Sequence, residues 1–281
     1  MKNKITTILL VVAFLAGLSL LLYPSVSDYW NSLHSSQAVA AYDENIRNLN
    51  EDKYNEILSA ARNYNRILAG TGMSFVLPPE LKKQYNDVLD IGGNGIMGYI
   101  EIPNINVSLP VYHGTGDDIL QIAVGHLDWS SLPIGGESSH CVLSGHRGLP
   151  SAKLFTNLDK MSVGDTFMIR VLNEALTYEV DGIMIVEPYE VDSLRLEDGK
   201  DLCTLVTCTP YGVNSHRLLV RGHRVETVNA TSVRVTSDAI RIEPLIVAPI
   251  AAVPILSLLI IFVFTFNSTK KKAKRGDSIE E

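Results

Sequence analysis

The chain has 281 residues, of which 46% are hydrophobic, and its formal net charge is −7. This length allows one or two domains. An acidic surface repels nucleic-acid phosphates, so we exclude a nucleic-acid-binding protein. Three cysteines, Cys141, Cys203 and Cys208, are too few for a disulfide framework and match no zinc-site spacing. We therefore predict no metal site and no cofactor.

Two long apolar segments predict membrane-spanning helices at residues 5–23 and 245–266. Lysines precede the first segment and the sequence KKKAKR follows the second. This charge pattern predicts that residues 1–4 and the basic tail 267–281 are cytoplasmic, and that the chain between the spans is extracellular. The first segment has a second interpretation as a signal peptide, although its apolar core is longer than the roughly 7–15 residues usual there. We expect a two-pass membrane protein whose tail contacts anionic lipid.

Residues 24–94 are predicted to form a helical extension. Within them, residues 35–68 contain no proline, and their apolar side chains recur every three to four positions, which is typical of one long or two short amphipathic helices. A further short helix is expected at 80–88. The stretch that joins these helices contains two glycines and two prolines, so we predict a loop there.

Residues 95–226 predict a mainly β domain. Short runs rich in β-branched residues alternate with turn signals, which indicates a mostly antiparallel barrel of seven or eight strands. The expected strands are 97–102, 107–111, 140–144, 166–171, 176–185, 202–207 and 217–225. Residues 227–244 show no clear period and are predicted to form a stalk before the second span.

The last two predicted strands form a hairpin that carries candidate chemistry. Cys208 lies at the end of the first strand, and Arg217, nine residues later, opens the return strand, so the hairpin brings thiol and guanidinium face to face. A fixed positive charge favours the reactive thiolate and can stabilise an oxyanion. Arginine keeps its proton in proteins, so a separate base is needed.

His146 is the best of the seven histidines for that role. It follows an apolar strand and lies between two glycines, which let a loop present its side chain at the barrel edge. Cys141 precedes His146 by five residues, just as Cys203 precedes Cys208. If the two strands are parallel neighbours, His146 and Cys208 emerge side by side. Cys141 and Cys203 are predicted to be buried thiols, and whether they pair with each other is left open.

Four ordered segments between about Gly98 and Val225 resemble the sortases, in particular their class C, pilin-polymerising branch. These segments read GYIEIPNINVSLPVYHGT, AVGHLDWSSLPIGG, CVLSGHRGLPSAKLFTNLDKMSVGD and TLVTCTPYGVNSHRLLVRGHR. The resemblance implies a sortase-type eight-stranded β-barrel with Cys208 as nucleophile, His146 as general acid/base and Arg217 as the residue that holds substrate and oxyanion. It also implies a pilin substrate, cleaved between Thr and Gly of a Leu-Pro-x-Thr-Gly-like sorting signal and transferred from a thioacyl enzyme to a pilin lysine.

Two further predictions concern the substrate groove. We assign Leu205 and Thr207, on the strand that leads to Cys208, to substrate binding. Many class C enzymes cover their groove with a lid that carries an Asp-Pro-aromatic anchor, and this sequence contains no Asp-Pro pair. The positional equivalent of the lid lies near residues 68–88 of this chain, where Met73 and Phe75 are possible lid residues. The alternative is a plain linker.

Three other functions are carried as alternatives. One is a housekeeping sortase that attaches surface proteins to the cell wall, and another is a surface cysteine protease that hydrolyses its thioester with water. The third is a membrane-tethered scaffold without activity, in which Cys208 is only a buried thiol. The predicted second span argues against the housekeeping enzyme, and the combination of thiol, imidazole and guanidinium within four ordered motifs argues against the scaffold.

Overall fold

The computed structural model describes residues 2–70 and 75–227. Its helical part consists of α1 (Lys2–Arg47), α2 (Glu51–Gly70) and α3 (Pro79–Asp87). The side chain of Asn50 accepts a hydrogen bond from the Lys53 amide at 2.8 Å, which caps the start of α2. The helical prediction for 35–68 is confirmed in its two-helix form, and the short helix expected at 80–88 is α3.

The N-terminal part of α1 is apolar along its length. Within the described residues, α1 is the one helix long and apolar enough to cross a membrane, with a mean hydropathy of 2.7 over its most apolar window. It contains the predicted first span. The predicted second span at 245–266 and the basic tail lie outside the described residues, as does all of the predicted stalk beyond residue 227. Two-pass topology therefore stays a prediction.

In the described residues, eight strands close into a barrel. The strands are β1 (Ile96–Ile102), β2 (Val107–His113), β3 (Val124–His126), β4 (Ser139–Ser144), β5 (Thr166–Val171), β6 (Glu174–Val186), β7 (Asp201–Thr209) and β8 (His216–Val225). Their order around the barrel is β1-β2-β3-β4-β7-β8-β6-β5. The pairs β2–β3 and β4–β7 are parallel, and the other pairs are antiparallel. A one-turn helix, α4 (Asp117–Leu120), precedes β3.

The predicted mixed barrel is confirmed, with one strand more than the seven that were placed. That strand is β3, which has only three residues and therefore shows no alternation in the sequence.

The two faces of the β4, β7 and β8 sheet serve different purposes. Side chains that alternate toward the barrel interior, such as Cys203 and Leu205, belong to the main core. The intervening residues Val142, Val206 and Leu219 point the other way and form a second apolar cluster. We call this cluster the outer patch. Cys208 lies two residues after Val206 and therefore shares its face.

The helical extension packs on the barrel through buried aromatic and polar side chains. The Tyr42 hydroxyl donates to the Met97 carbonyl at 3.0 Å and accepts from the Leu172 amide at 2.8 Å. In α2, the Asn65 amide group exchanges hydrogen bonds with both backbone groups of Leu132, at 2.7 and 3.2 Å. These contacts tie α1 and α2 to the strands and to the loop between β3 and β4.

Candidate active site

The hairpin of β7 and β8 brings the predicted nucleophile to the predicted guanidinium. Cys208 lies directly opposite Arg217 in the antiparallel register. Both side chains are half-buried near the end of the barrel. Arg217 donates from Nη1 to the carbonyls of Asn214, at 3.2 Å, and His216, at 3.1 Å. The loop backbone therefore holds the guanidinium at the strand end where Arg217 is paired with Cys208.

The parallel pair of β4 and β7 fixes the level of His146. Ser144, the last residue of β4, is paired with Val206. His146 follows Ser144 by two positions, as Cys208 follows Val206. The register therefore puts His146 and Cys208 at the same level of two adjacent segments of the protein. The condition attached to the equal cysteine spacing, that the two strands are parallel neighbours, is met.

Gly145 continues this alignment beyond the end of β4. Its amide donates to the Val206 carbonyl at 3.1 Å, and its carbonyl accepts from the Thr207 hydroxyl at 2.7 Å. A Cβ at this position would lie 2.7 Å from the Phe155 ring, so only glycine fits. Gly148 closes the loop with a φ of +77°, in the left-handed region that glycine favours.

Arg147 is a functional candidate that sequence reasoning did not single out. Its Nη1 donates to the Thr209 hydroxyl at 3.1 Å, and its Nη2 forms an ion pair with Asp159. The guanidinium carbon lies 6.0 Å from the centre of the Tyr211 ring. Only 9% of the Arg147 side chain is exposed. The partners are distant in sequence, so the only available signal was the position of Arg147 directly after His146.

Comparison with known proteins agrees with this geometry. The family model described as a sortase domain matches residues 100–225. Sortase C1 from Streptococcus agalactiae is 49% identical, with a TM-score of 0.67, over 68% of this chain and 100% of that one. The chain belongs to the sortase family. Sortases are cysteine transpeptidases, and the resemblance predicted from the four sequence segments is confirmed.

Two further solved structures are sortase C enzymes. A sortase C from Streptococcus pneumoniae, described with its pilin substrate specificity, is 41% identical with a TM-score of 0.62, over 68% of this chain and 97% of that one. Sortase C from Clostridium perfringens, solved with a C-terminal cell wall sorting motif, is 42% identical with a TM-score of 0.60, over 68% of this chain and 100% of that one. The chain spans 63% of the length of sortase D from Bacillus subtilis and 47% of the length of sortase A from Streptococcus agalactiae.

Three other histidines of this sortase are hydrogen-bonded, of which His126 and His140 are buried and His113 is half-buried. Both ring nitrogens of His113 lie within 3.0 Å of backbone carbonyls, and His126 contacts the Tyr85 hydroxyl and a serine carbonyl. Burial lowers the pKa of His113 and of His140. His216, next to Arg217, has its ring nitrogen 3.2 Å from a Glu187 oxygen. The register of β4 and β7, rather than these contacts, puts His146 at the level of Cys208.

The two predicted substrate-binding residues lie inside the protein. Leu205 is fully buried in the main core, and Thr207 is 1% exposed with its hydroxyl bound to Gly145. The contacts of Thr207 hold the His146 loop against β7. A direct contact of either residue with substrate stays a prediction.

One of the two possible lid residues touches the outer patch. The Phe75 ring lies edge-on to Trp129, with ring centroids 5.0 Å apart, and Trp129 packs against the outer patch. Phe75 keeps 40% of its surface exposed. Met73 lies outside the described residues. The lid therefore stays a prediction that the position of Phe75 favours.

The remaining thiols are free and buried. Cys141 lies opposite Cys203 in the parallel register, and neither forms a disulfide. Burial raises the pKa of Cys203 well above its usual range, which keeps this thiol protonated. Among residues 2–70 and 75–227, no group of three or more His, Cys, Asp or Glu side chains could hold a metal ion.

Proposed function

We propose that this sortase is a membrane-anchored class C transpeptidase that joins pilin subunits. The observation that carries the proposal is the register of β7 with both of its neighbours. That register sets Cys208 opposite Arg217 on one side and level with His146 on the other. A nucleophile, a proton carrier and a fixed positive charge at one strand end are what acyl transfer through a covalent enzyme requires.

In the first half-reaction, the Cys208 thiolate attacks the threonine carbonyl carbon of a Leu-Pro-x-Thr-Gly-like sorting signal. The electron pair of the carbonyl moves to oxygen, and the Arg217 guanidinium stabilises this oxyanion and favours the attacking thiolate. When the carbon–nitrogen bond breaks, the protonated His146 gives its proton to the leaving glycine amine. The product is a thioester between the substrate threonine and Cys208.

In the second half-reaction, a lysine amine of another pilin attacks the thioester carbonyl. Neutral His146 takes a proton from this amine, and the Cys208 thiolate leaves as the isopeptide bond forms. A thioester is a good acyl donor to an amine, so two easier steps replace one amide exchange. The pilin specificity described for the Streptococcus pneumoniae sortase C supports this choice of acceptor, and the sorting motif bound by the Clostridium perfringens sortase C supports the donor.

The segment between α2 and α3 is proposed to act as a lid. Phe75 packs against Trp129, which borders the outer patch beside Cys208. The helices on either side hold the loop that carries Trp129, through Asn65 in α2 and an ion pair of Lys82 in α3. These anchors hold both helices against the loop that carries Trp129, next to the Phe75 contact.

The membrane arrangement is proposed to keep the barrel outside the cell. Helix α1 supplies an apolar segment before residue 24, and the proposed second span at 245–266 returns the chain to the membrane. In this arrangement 24–94 forms the extension with its lid, 95–226 the catalytic barrel and 227–244 a stalk. A site between two anchors would face substrates that are held at the outer membrane surface.

The test uses the full-length protein in detergent with a Leu-Pro-x-Thr-Gly peptide and measures the intact protein mass. We expect an adduct of the cleaved peptide in the wild type and none in Cys208→Ala. An adduct in both proteins would overturn the mechanism. Absence of an adduct together with failure of Cys208 to react with iodoacetamide would indicate the scaffold alternative.

A second arm adds acceptor amines to the thioacyl enzyme. We expect a lysine-containing pilin peptide to receive the acyl group through its side chain, which tandem mass spectrometry locates. Release of free acid alone, even with excess amine, would indicate a protease. Transfer only to a cell-wall peptide amine would indicate a housekeeping enzyme.

A further inference from the structure

The residues next to His146 and Cys208 are bonded to one another on both sides. Before the two residues, the Thr207 hydroxyl donates to the Gly145 carbonyl at 2.7 Å. After them, Arg147 donates to the Thr209 hydroxyl at 3.1 Å. His146 and Cys208 are thus the middle residues of two three-residue segments, which are joined by a hydrogen bond at each end.

The second of these joints lies beyond the end of β4 at Ser144. There no strand ladder fixes His146, and its carbonyl accepts a hydrogen bond from the Phe155 amide at 3.1 Å. Loops that carry functional residues depend on such contacts to hold their geometry. Arg147 supplies such a contact across 62 residues of sequence. Arg147 directly follows His146 in the sequence, and its partner Thr209 directly follows Cys208.

Arg147 is itself held rigidly. Its second terminal nitrogen pairs with Asp159, in the turn Leu158–Lys160, and the Tyr211 ring lies 6.0 Å from the guanidinium carbon. A planar guanidinium has its donors at fixed angles, so binding one acceptor on each arm sets the distance between those acceptors. With 9% of its side chain exposed, it has little freedom to leave them.

We infer that Arg147 is a positioning residue that sets the separation between the His146 imidazole and the Cys208 thiol. The inference rests on the proposed function, in which proton transfer by His146 must follow the attack and collapse at Cys208. A misplacement of about 1 Å in such a pair can lower the rate roughly 100-fold. Arg147 reaches the reaction only through His146 and Thr209, and Asp159 anchors it from outside.

The first test breaks the joint from either side, with the charge kept at Arg147 and the size kept at Thr209. Arg147→Lys keeps the positive charge but loses the two-armed donor, and Thr209→Val removes the acceptor with a side chain of equal size. We expect kcat of the full-length enzyme to fall about 10- to 100-fold in both, with KM unchanged. Arg195→Lys is the matched control, because that arginine is exposed and its side chain pairs with Asp192. Wild-type kcat in both Arg147→Lys and Thr209→Val would overturn the inference.

A double-mutant cycle separates positioning from a general structural effect. If Arg147 acts through His146, Arg147→Lys in the His146→Ala background should cause no further loss in the rate of thioacyl formation. An equal fold-loss in both backgrounds would overturn the inference. If Arg147→Lys folds poorly, the same comparison is made with Thr209→Val, which should likewise cause no further loss in the His146→Ala background.

The pH profile of iodoacetamide reaction at Cys208 distinguishes this inference from the proposed function. Identical profiles for the wild type and His146→Ala would overturn the proposed thiol–imidazole pair, and the inference with it. If those two profiles differ, a wild-type profile in Arg147→Lys would overturn the inference alone. A profile like that of His146→Ala would support it.

Discussion

Strand β7 carries two cysteines whose surroundings are opposite in kind. Cys203 points into the barrel, fully buried opposite Cys141, and burial raises its pKa well above the usual range. Cys208, five residues later, is half-buried on the outer face and opposite Arg217. The comparison teaches that the neighbours which a strand position supplies, rather than the residue type, decide whether a thiol is inert or reactive.

Strand β4 and the loop after it repeat this contrast with histidines. His140 is 1% exposed and its ring nitrogens contact the Arg195 carbonyl and the Thr204 hydroxyl, each at 2.8 Å. His146 lies in the glycine-bordered loop beyond the strand end. Both strands therefore hold a fixed, buried group in their body and present a chemically available one at the end where they meet.

The strongest test of this contrast compares the two cysteines of β7. Cys208→Ala should abolish thioacyl formation, because no other thiol lies beside Arg217 in the described residues. Cys203→Ala should retain it and lose only about 1 kcal/mol of stability, as expected for a small core truncation. Intact mass after incubation with a sorting peptide measures the first effect and urea unfolding the second. Retained thioacyl formation in Cys208→Ala would refute the assigned nucleophile.

The next test compares two arginines on the same face of β8. Arg217→Lys should lower kcat about 100-fold, because an ammonium cannot reproduce the planar pair of donors that an oxyanion site uses. Arg221→Lys is the control, since Arg221 lies four residues further on and pairs with Asp181 and Glu197 instead. Steady-state kinetics of peptide cleavage measure both variants. Full activity in Arg217→Lys would mean that positive charge alone is sufficient.

The sequence predicted those features that depend on local pattern. Alternating runs gave the barrel, and the short span between Cys208 and Arg217 gave the hairpin that joins them. The features it missed depend on contacts between distant residues. Arg147 contacts Thr209, which lies 62 positions away in the sequence. The three residues of β3 are recognised as a strand through their pairing with β2 and β4. No local period encodes such contacts.

A smaller effect is expected at the lid, which would control access to the reactive end of β7. Phe75→Ala removes the edge-on contact with Trp129, and such aromatic contacts contribute about 0.5–1.5 kcal/mol. If the segment covers Cys208, iodoacetamide should label Cys208 roughly 2- to 10-fold faster in Phe75→Ala than in the wild type. Val163→Ala, at an exposed loop position, is the control. An unchanged labelling rate in Phe75→Ala would make the segment a linker.

The last expected effect concerns His140 in β4 and the pH dependence of stability. Burial lowers the pKa of His140 in the folded protein, whereas the unfolded chain has a value of about 6.5. As pH falls below about 6.5, the unfolded state therefore takes up the proton first. The free energy of unfolding contributed by neutral His140 is fully present above that pH. It should fall below it by at most about 1.4 kcal/mol per pH unit.

Urea unfolding between pH 8 and pH 5 measures this dependence. His140→Asn should be less stable than the wild type at pH 8, because it loses a buried pair of hydrogen bonds, yet it should lose less stability on acidification. If His140→Asn and the wild type lose stability in parallel, proton uptake lies elsewhere, and the half-buried His113 becomes the group to replace next.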